Sequence, residues 1–499
     1  MSATERLRGA APDAAAAPVP AAEAELGERG ALVGGRTVLT GDVLEVRSPY
    51  DDRLVALVHR AGPQELEEAV TRAVQAFEET RRLPSWRREE ILEGIAARLD
   101  ERRDELARTI ALEAGKPVKT ARLEVERAAF TFRVAAEEAK RIYGEIVPLD
   151  WAPGMEGRVA HVRRVPLGPI AGITPFNFPL NLVVHKVAPA LAAGDPIVVR
   201  PASQTPVTAL LLGEIALEAG WPEGGIAVVP SSTEVAAPLV DDDRIRMLSF
   251  TGSPAVGWGL KARAGRKRVT LELGGNAGVI VNADADLAWA AERVTWGGFV
   301  YAGQTCISVQ RVLVHADVHD AFLAELLPRV EALRCGDPLD EATDVGPVID
   351  DAASARIDEW VREALDGGAE ALAGGSHDGR VWEPTVLAGV EETMRVSCRE
   401  AFAPLVVVSP FEDVGEAIAA VDRSDFGLQA GIFTRDWPTI RRAFEELEIG
   451  GLVVNDVSTF RIDHMPYGGV KHSGLGREGI RYAIEEMTEL RLLALNERD

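Results

Sequence analysis

The sequence predicts an α/β protein with two doubly wound parallel-sheet lobes and a small β-hairpin outside both. Short β-branched runs alternate with helix-like stretches from Pro169 onward, and the alternation begins again at Val279 and continues to about Val454. Strand, helix and strand at a spacing of roughly 25 residues is typical of βαβ units in a parallel sheet. Two polar-alternating runs at 144–166 predict the hairpin. The 499 residues are enough for about two to four domains that each bury a core.

The chain begins with a segment rich in Ala and Pro, residues 1–26, which we predict to be a disordered leader without the features of a secretory signal. Two amphipathic helices follow. The second begins at Ser85 and ends by Gly115, a residue type that commonly stops helices. The first is predicted from an apolar stripe at spacings of three and four, formed by Leu66, Ala69, Val70, Ala73, Val74 and Phe77.

The two lobes are predicted from their strands. In the first lobe the strand candidates are 170–174, 197–199, 226–229, 247–250 and 269–273, with helices at 180–193 and 205–219 between them. In the second lobe they are 312–314, 405–408 and 452–454. Neither lobe requires the hairpin, so its exposed edges favour pairing with another chain.

The amino-acid composition argues against several classes of protein. The chain has 54 basic and 78 acidic residues and a formal net charge of −24, which argues against nucleic-acid binding and against a polybasic membrane-surface protein. No apolar run approaches the ~18 residues of a membrane helix. Three cysteines, Cys306, Cys335 and Cys398, lack CxxC spacing. We therefore expect no disulfide framework and no metal site, and take a reducing cytoplasm as the default location.

Three residues could perform nucleophilic and acid–base chemistry. Cys306 follows a Gly in a polar turn and could be a nucleophile if its thiolate is favoured, or simply a small buried hydrophobe. Glu272 stands between two leucines at the end of a β-rich run, where it could be a general base or a strand-end salt-bridge partner. Asn177, flanked by Pro175 and Pro179, could donate to an oxyanion or cap the next helix.

A glycine turn at 250–257 leads from a strand into a helix. Its free backbone N–H groups and the helix dipole could receive a phosphate, although the segment lacks the GxGxxG fingerprint and could be only a turn.

Together these segments resemble the aldehyde dehydrogenase superfamily over about residues 46–496. The resemblance includes the base motif at Glu272, the nucleophile motif at Cys306, the segment Glu-Ala-Phe-Ala-Pro at 400–404 and the signature MPYGGVKHSGLGREG at 465–479. It implies a Rossmann-like dinucleotide-binding domain at 27–143 and 167–275, and a catalytic domain at 276–478. The hairpin at 144–166 and the tail at 479–499 would be an oligomerisation element, giving a homodimer or homotetramer.

The resemblance also implies a reaction. Cys306 would attack an aldehyde to form a thiohemiacetal, Asn177 and the Cys306 backbone N–H would hold the oxyanion, and a hydride would pass to NAD or NADP. Glu272 would then deprotonate the water that hydrolyses the thioester, which argues against the coenzyme-A-acylating branch. The residues expected at the dinucleotide are Ile173, Thr174, Arg200, Ser203, Gly252, Ser253, Gly257, Leu273, Glu400 and Phe402.

Two positions leave the coenzyme undecided. Arg200 stands where the family usually has Lys, and Ser203 where many NAD-restricted members have Glu. A glutamate would repel a 2′-phosphate, whereas Ser203 does not and Arg200 could pair with one.

For the substrate, Arg133, His185, Arg461 and His464 resemble the branch that acts on lactaldehyde, phosphonoaldehydes and succinate semialdehyde. Because a chain of net charge −24 needs local cations to receive an anion, we predict a short phosphono- or carboxy-substituted aldehyde. Lactaldehyde, glycolaldehyde and succinate semialdehyde are alternatives. A non-catalytic binding or structural protein of the same fold, and a hydrolase that uses the same Cys and Glu without a dinucleotide, are alternatives of other classes.

Overall fold

The computed structural model describes residues 24–497, so the predicted leader lies outside the described residues except for its last three positions. In the described part, the α-helices are α1 (Pro63–Thr80), α2 (Ser85–Glu101), α3 (Arg103–Ala114), α4 (Val118–Ala139), α5 (Asn181–Ala193), α6 (Val207–Glu218), α7 (Thr233–Ala236), α8 (Pro238–Asp241), α9 (Pro254–Arg263), α10 (Leu287–Phe299), α11 (His319–Glu331), α12 (Asp351–Asp366), α13 (Arg395–Cys398), α14 (Val414–Asp422), α15 (Trp437–Glu446) and α16 (Ile480–Glu486). A short 3-10 helix lies at Ala316–Val318, and residues 300–303 form a tight turn with left-handed backbone.

The strands of the same region are β1 (Glu28–Arg29), β2 (Ala31–Val33), β3 (Arg36–Val38), β4 (Val43–Arg47), β5 (Leu54–His59), β6 (Glu145–Pro148), β7 (Arg158–Pro166), β8 (Ile170–Ile173), β9 (Ile197–Arg200), β10 (Ile226–Val228), β11 (Met247–Thr251), β12 (Arg268–Glu272), β13 (Ala277–Val281), β14 (Val309–His315), β15 (Glu370–Ala373), β16 (His377–Asp378), β17 (Val381–Trp382), β18 (Thr385–Ala388), β19 (Leu405–Phe411), β20 (Phe426–Gly427), β21 (Gln429–Phe433), β22 (Gly451–Val454), β23 (Val470–Lys471), β24 (Gly474–Leu475) and β25 (Thr488–Asn496).

The helix predicted from Ser85 to Gly115 is two helices. Arg102 has φ −99° and ψ 18°, so it ends α2 and precedes α3, and the two apolar stripes point at one core across this break. The apolar stripe therefore spans both helices but does not reveal the change of direction. Gly115 ends α3 in the left-handed region at φ 68°, which confirms the predicted stop.

The first sheet has the order β24-β12-β11-β8-β9-β10-β2-β3. Its five central strands, from β12 to β10, are parallel. Alternate residues pack on opposite faces: Ile197 and Val199 contact the core formed with α2 to α6, while Val198 contacts the core formed with α1. The chain runs outward from β8 through β9 and β10 and then returns to β11, so the strand order reverses between β8 and β11. Ligands of open α/β sheets bind outside the carboxyl ends of the strands at such a reversal.

The second sheet has the order β15-β18-β19-β14-β13-β21-β22, and all of it except the edge strand β15 is parallel. Helices and apolar residues cover both of its faces. Both predicted parallel sheets are therefore present, and the predicted α/β class is confirmed.

The predicted hairpin is present as β6 and β7, but it is not alone. The C-terminal strand β25 pairs with the other edge of β7 along its whole length, from Thr488 opposite Pro166 to Asn496 opposite Arg158. The structure therefore corrects one expectation: the same chain covers one edge of the hairpin, and the free edges are those of β6 and β25. No helix among residues 24–497 is both long enough and apolar enough to span a membrane.

Candidate active site

A cavity of about 530 Å³ lies between α4, the segment after β8, the segment before β14 and the segment 459–467. Its lining is mainly apolar and includes Phe130, Phe178 and Phe460. Cys306 and Asn177, which are far apart in sequence, both line it. The volume and the mixture of apolar walls with a few polar groups are typical of small-molecule sites.

The segment before Cys306 has three consecutive residues in the left-handed backbone region. Tyr301, Ala302 and Gly303 have φ of 51°, 53° and 66°. This conformation costs roughly 1–2 kcal/mol for each residue that carries a Cβ. A Cβ on Gly303 would also collide with the carbonyl of Ala403. The surrounding fold must therefore hold the segment in place, as is common where a reactive side chain is presented.

Hydrogen bonds from distant residues fix that segment. Tyr301 Oη donates to the Ala114 carbonyl at 2.8 Å. Asn177 Nδ2 donates to the main-chain carbonyl of Gln304 at 3.0 Å, and Gln304 Oε1 accepts from the Ile349 N–H at 2.9 Å. Asn177 is thus next to the nucleophile segment, where the sequence predicted it. Its role at an oxyanion stays a prediction.

Cys306 and Glu272 are joined through one hydroxyl group. Tyr467 Oη lies 3.0 Å from Cys306 Sγ and donates to Glu272 Oε1 at 3.2 Å. Burial, followed by the negative charge of Glu272, raises the pKa of the Cys306 thiol well above its usual range. Burial, followed by the charge of Glu478, raises the pKa of Glu272 to about 7. A carboxylate that changes protonation near neutral pH is suited to general-base chemistry.

A buried ionic cluster lies behind Glu272. Lys186 Nζ donates to Thr251 Oγ1 at 2.7 Å and lies 3.5 Å from Glu478 Oε1, while Arg461 donates to Glu478 Oε2 at 2.9 Å. Burial alone would raise the pKa of Glu478, but the charges of Lys186 and Arg461 outweigh burial and lower it to about 2. Glu478 therefore stays negative and sustains the raised pKa of Glu272.

Of the four predicted substrate residues, Arg461 lines the cavity and Arg133 does not. Arg133 pairs with Asp100 on the outer side of α4, outside the cavity lining, so its assignment to the substrate site stays a prediction that this geometry does not support. Arg127 on the same helix lines the cavity instead and donates two hydrogen bonds to Asp463, at 2.7 and 3.1 Å. Six residues turn an α-helix by about 240°, which places the two arginines on different faces.

The two predicted histidines are also not in the cavity wall. His185 is buried, with Nε2 2.9 Å from Asp463 Oδ1 and 3.0 Å from Arg461 Nη2. Burial, then the charge of Arg461, lowers the pKa of His185, which disfavours a role for it as a substrate cation. His464 is exposed and packs edge to face against Phe130, with ring centroids 6.1 Å apart. Direct contact of either histidine with the substrate stays a prediction that the cavity lining does not support.

The predicted dinucleotide residues gather at the carboxyl ends of the first sheet. Ile173 ends β8, Arg200 ends β9, and α9 begins just after β11. Ser253 caps α9 without a side-chain hydrogen bond, and a Cβ on Gly257 would lie 2.5 Å from Leu273, so the helix packs closely on the sheet. The first-turn N–H groups of α9 are therefore free for an anionic ligand.

Two buried polar atoms in this crevice are suited to bind a polar ligand. Thr174 Oγ1 and Arg200 Nε have no hydrogen-bond partner within residues 24–497. Arg200 does make one bond, from Nη2 to the Ser231 carbonyl at 3.1 Å. Because unsatisfied buried polar groups are costly, these atoms fit the polar parts of a dinucleotide. Ser203, predicted at the same ligand, is exposed near the end of β9.

The second lobe also reaches this crevice. Glu400 Oε1 accepts a hydrogen bond from the Gly275 N–H at 2.9 Å, and burial raises the pKa of Glu400 to about 7. Phe402 has φ 49°, and its ring packs edge to face on Phe176, with centroids 6.0 Å apart. Both side chains thus lie beside loops of the first sheet, close to the Cys306 side of the crevice.

Sequence reasoning missed the residues that connect the site. Tyr467 and Glu478 belong to the quoted signature, but nothing in that segment indicates which of its side chains face Cys306 or Glu272. Arg127 and Asp463 are ordinary charged residues in sequence. Lys186 lies on a fully buried helix, and a residue type that is costly to bury is a signal of function that a sequence can carry.

The sequence is similar to that of a known enzyme family. The aldehyde dehydrogenase family model matches residues 39–493. The 3-sulfolactaldehyde dehydrogenase of Priestia megaterium is 45% identical over 468 residues, which cover 94% of this chain and 98% of that protein.

The chain is also similar in structure to two solved dehydrogenases. Aldehyde dehydrogenase 21 from Physcomitrella patens, in complex with the reaction product succinate, has a TM-score of 0.93 and 40% identity, covering 94% of this chain and 98% of that one. Glyceraldehyde-3-phosphate dehydrogenase from Methanocaldococcus jannaschii, complexed with NADP, has a TM-score of 0.88 and 38% identity, covering 92% of this chain and 100% of that one.

Proposed function

The chain belongs to the aldehyde dehydrogenase family, and we propose that it oxidises a short anionic aldehyde to the carboxylate with Cys306 as nucleophile and Glu272 as base. The observation that carries this proposal is the placement of the Cys306 thiol on the cavity wall, one hydroxyl away from a carboxylate whose pKa is about 7. NAD(P) is the coenzyme of this enzyme class, and bound NAD(P)⁺ supplies the hydride acceptor.

The residues act in a fixed order. The Cys306 thiolate attacks the aldehyde carbon, and the Asn177 amide and the Cys306 backbone N–H donate to the oxygen that becomes negative; one such donor contributes about 10² to 10³ in rate. Asn177 is held at the Gln304 carbonyl and must exchange that bond for the oxyanion. Once the thioester has formed, Glu272 takes a proton from water, which attacks it and releases the carboxylate product and the thiol. A carboxylate base in this position favours hydrolysis over transfer to coenzyme A.

Arg127 is the cation we assign to the anionic group of the substrate. It lines the cavity with its side chain 32% exposed, whereas Arg461 is 7% exposed and committed to Glu478. The two hydrogen bonds to Asp463 orient the Arg127 guanidinium. The relatives support an anion, since one is named for a sulfonate-bearing aldehyde and another structure holds the dicarboxylate succinate. Phosphonate, sulfonate and carboxylate groups all match this guanidinium.

The test compares kcat/KM for phosphonoacetaldehyde, 3-sulfolactaldehyde, succinate semialdehyde and neutral propanal, with each coenzyme. We expect at least one anionic aldehyde to exceed propanal, and Arg127→Gln to remove most of that preference while leaving propanal within about threefold. A charged hydrogen bond of roughly 1.5–3 kcal/mol corresponds to about 10- to 150-fold. The control is Arg133→Gln, which removes an arginine of the same helix outside the cavity. A wild-type preference for propanal would contradict the proposed substrate class.

We assign the dinucleotide to the crevice at Thr174, Arg200, Ser253 and Glu400. The absence of an acidic side chain at Ser203 supports use of NADP as well as NAD, because Ser203 carries no charge that would repel a 2′-phosphate. Calorimetric titration with NAD and NADP tests this assignment separately from turnover. Failure of both to bind would contradict it.

We also propose that the chain forms a homodimer or homotetramer through the sheet of β6, β7 and β25. Its outer strand β25 leaves Leu490, Leu492 and Leu493 between 55% and 59% exposed beside an unpaired edge. Apolar side chains at a free edge favour pairing with a second copy. Light scattering after size exclusion should give an oligomer for the wild type and a smaller species for Leu492→Asp. A monomeric wild type would refute this assignment.

A further inference from the structure

We propose that the Tyr467 hydroxyl is a catalytic group that carries the Cys306 proton to Glu272 and then donates a hydrogen bond to the thiolate. The inference deepens the proposed function and rests on it. It begins from the observation that one buried oxygen lies within hydrogen-bond distance of both reacting groups, 3.0 Å from Cys306 Sγ and 3.2 Å from Glu272 Oε1.

The direction of the two hydrogen bonds follows from the available protons. A carboxylate can only accept, so the single hydroxyl proton of Tyr467 is donated to Glu272 Oε1. The Tyr467 oxygen is then free to accept from the Cys306 S–H. The two hydrogen bonds therefore point in one direction, from the Cys306 sulfur through the Tyr467 oxygen to the Glu272 carboxylate.

The transfer balances without another reactant. The S–H bond of Cys306 breaks and its electron pair stays on sulfur, while that proton forms a new O–H bond on Tyr467. The original O–H bond of Tyr467 breaks and its proton forms an O–H bond on Glu272, which releases this proton to solvent before it acts as the base toward water. Tyr467 ends as the neutral phenol it was at the start, now positioned to donate to the thiolate. A phenol relay therefore works without ionising, although burial and then the nearby thiol raise the pKa of Tyr467 well above its usual range.

The Tyr467 ring is held in this position from two sides. The main-chain N–H of Tyr467 donates to the Glu478 carbonyl at 3.1 Å, and the main-chain carbonyl of Tyr467 accepts from the Glu478 N–H at 2.6 Å. The guanidinium of Arg461 covers its ring, 3.6 Å from the centroid. A hydroxyl fixed by main-chain bonds and a stacked cation loses little entropy when it bridges two groups.

The charged groups around the relay act in both directions. Glu478 disfavours the charged form of Glu272, whereas Lys186 and Arg461 favour it, and Arg461 also favours the thiolate of Cys306. Glu400 of the second lobe is a further carboxyl group, and its own pKa is raised by the charge of Glu272 in addition to burial. These groups set the pH at which the proton moves. The Tyr467 oxygen lies within hydrogen-bond distance of both groups and offers the proton a path between them.

The test measures alkylation of Cys306 by iodoacetamide between pH 5 and 10, without aldehyde or coenzyme, by mass spectrometry of the Cys306 peptide. Peptide resolution is needed because Cys335 and Cys398 are exposed and also react. Tyr467→Phe removes only the oxygen and keeps the ring beneath Arg461. We expect its alkylation rate at pH 7 to fall about tenfold and its midpoint to move to higher pH by about one unit. An unchanged profile would overturn the relay.

Two further variants keep the test decisive. Tyr301→Phe deletes another buried tyrosine hydroxyl of the same region, which bonds to the Ala114 carbonyl and not to sulfur, and should keep the wild-type midpoint. Glu272→Gln keeps Tyr467 but removes the negative charge that raises the Cys306 pKa, so its midpoint should move to lower pH, opposite to the shift in Tyr467→Phe. If Tyr467→Phe does not fold, Tyr467→Met, which also lacks the hydroxyl, replaces it, and a wild-type profile in that variant refutes the relay. The assay uses no substrate. It can therefore refute the Tyr467 relay while aldehyde oxidation is confirmed, and it can support the relay while aldehyde oxidation is refuted.

Discussion

Replacing Glu478 with glutamine should lower the pH at which Glu272 becomes active. Glu478 is the second cause, after burial, of the rise in the Glu272 pKa from 4.5 to about 7. Glutamine keeps a hydrogen-bond acceptor for Arg461 but removes the repelling charge. It also leaves the positive charges of Lys186 and Arg461 without their main counterion, which further favours ionised Glu272. Both effects lower the pKa of Glu272.

The expected magnitude follows from the size of the rise. Burial remains in the variant, so we expect a fall on the order of one pKa unit, which is typical for loss of one close like charge. With a midpoint at about 7, roughly 9% of Glu272 is ionised at pH 6, and a midpoint at about 6 gives about 50%. The rate at pH 6 should therefore rise about fivefold where thioester hydrolysis limits turnover, while the rate at pH 8.5 changes little.

The assay is kcat against pH from 5 to 9 at saturating aldehyde and coenzyme, followed by the absorbance of the reduced coenzyme. Glu485→Gln is the matched control, because Glu485 is an exposed carboxylate of the neighbouring helix that pairs with Arg481. Its acidic limb should coincide with that of the wild type. A thermal melt checks that Glu478→Gln is folded. An acidic limb that stays in place, or moves to higher pH, refutes the electrostatic account.

Three other predictions concern the scaffold and the coenzyme. Glu124→Ala leaves a buried ammonium unpaired and uncaps α5, so calorimetric melting should show a loss of about 3–5 kcal/mol, whereas exposed Glu126→Ala should stay within about 1 kcal/mol; equal losses would contradict this. Gly303→Ala should reduce kcat far more than Gly265→Ala reduces it, since both have φ above 60° but only Gly303 lacks space for a Cβ; similar kinetics would leave backbone strain as the sole effect. Ser203→Glu should raise KM for NADP at least tenfold and KM for NAD little, which titration of both coenzymes checks; equal changes would place the 2′-phosphate elsewhere.

The order of the elements could be read from the sequence because it depends on local patterns. β-branched runs at regular spacing gave the two parallel sheets, and Gly115 gave a helix end, since both reflect backbone preferences over a few residues. The alternation Leu271, Glu272, Leu273 also predicted the face of the carboxylate: both leucines pack in the α1-side core, and Glu272 reaches the site near Cys306. A break such as Arg102 stayed hidden, because an apolar stripe continues through a change of helix direction.

The connections within the site were decided only by the tertiary structure. Tyr467 meets Glu272 across 195 positions, and Arg127 meets Asp463 across 336. Nothing local encodes such contacts, because they form when two separately covered sheets dock and bring their loops together. The same reason explains why Arg127 lies in the cavity lining and Arg133 does not: the face of α4 that turns toward the cavity is set by packing against other elements, among them α5. Residue chemistry is a property of the sequence, whereas distance and burial, which determine what that chemistry can do, are properties of the assembled fold.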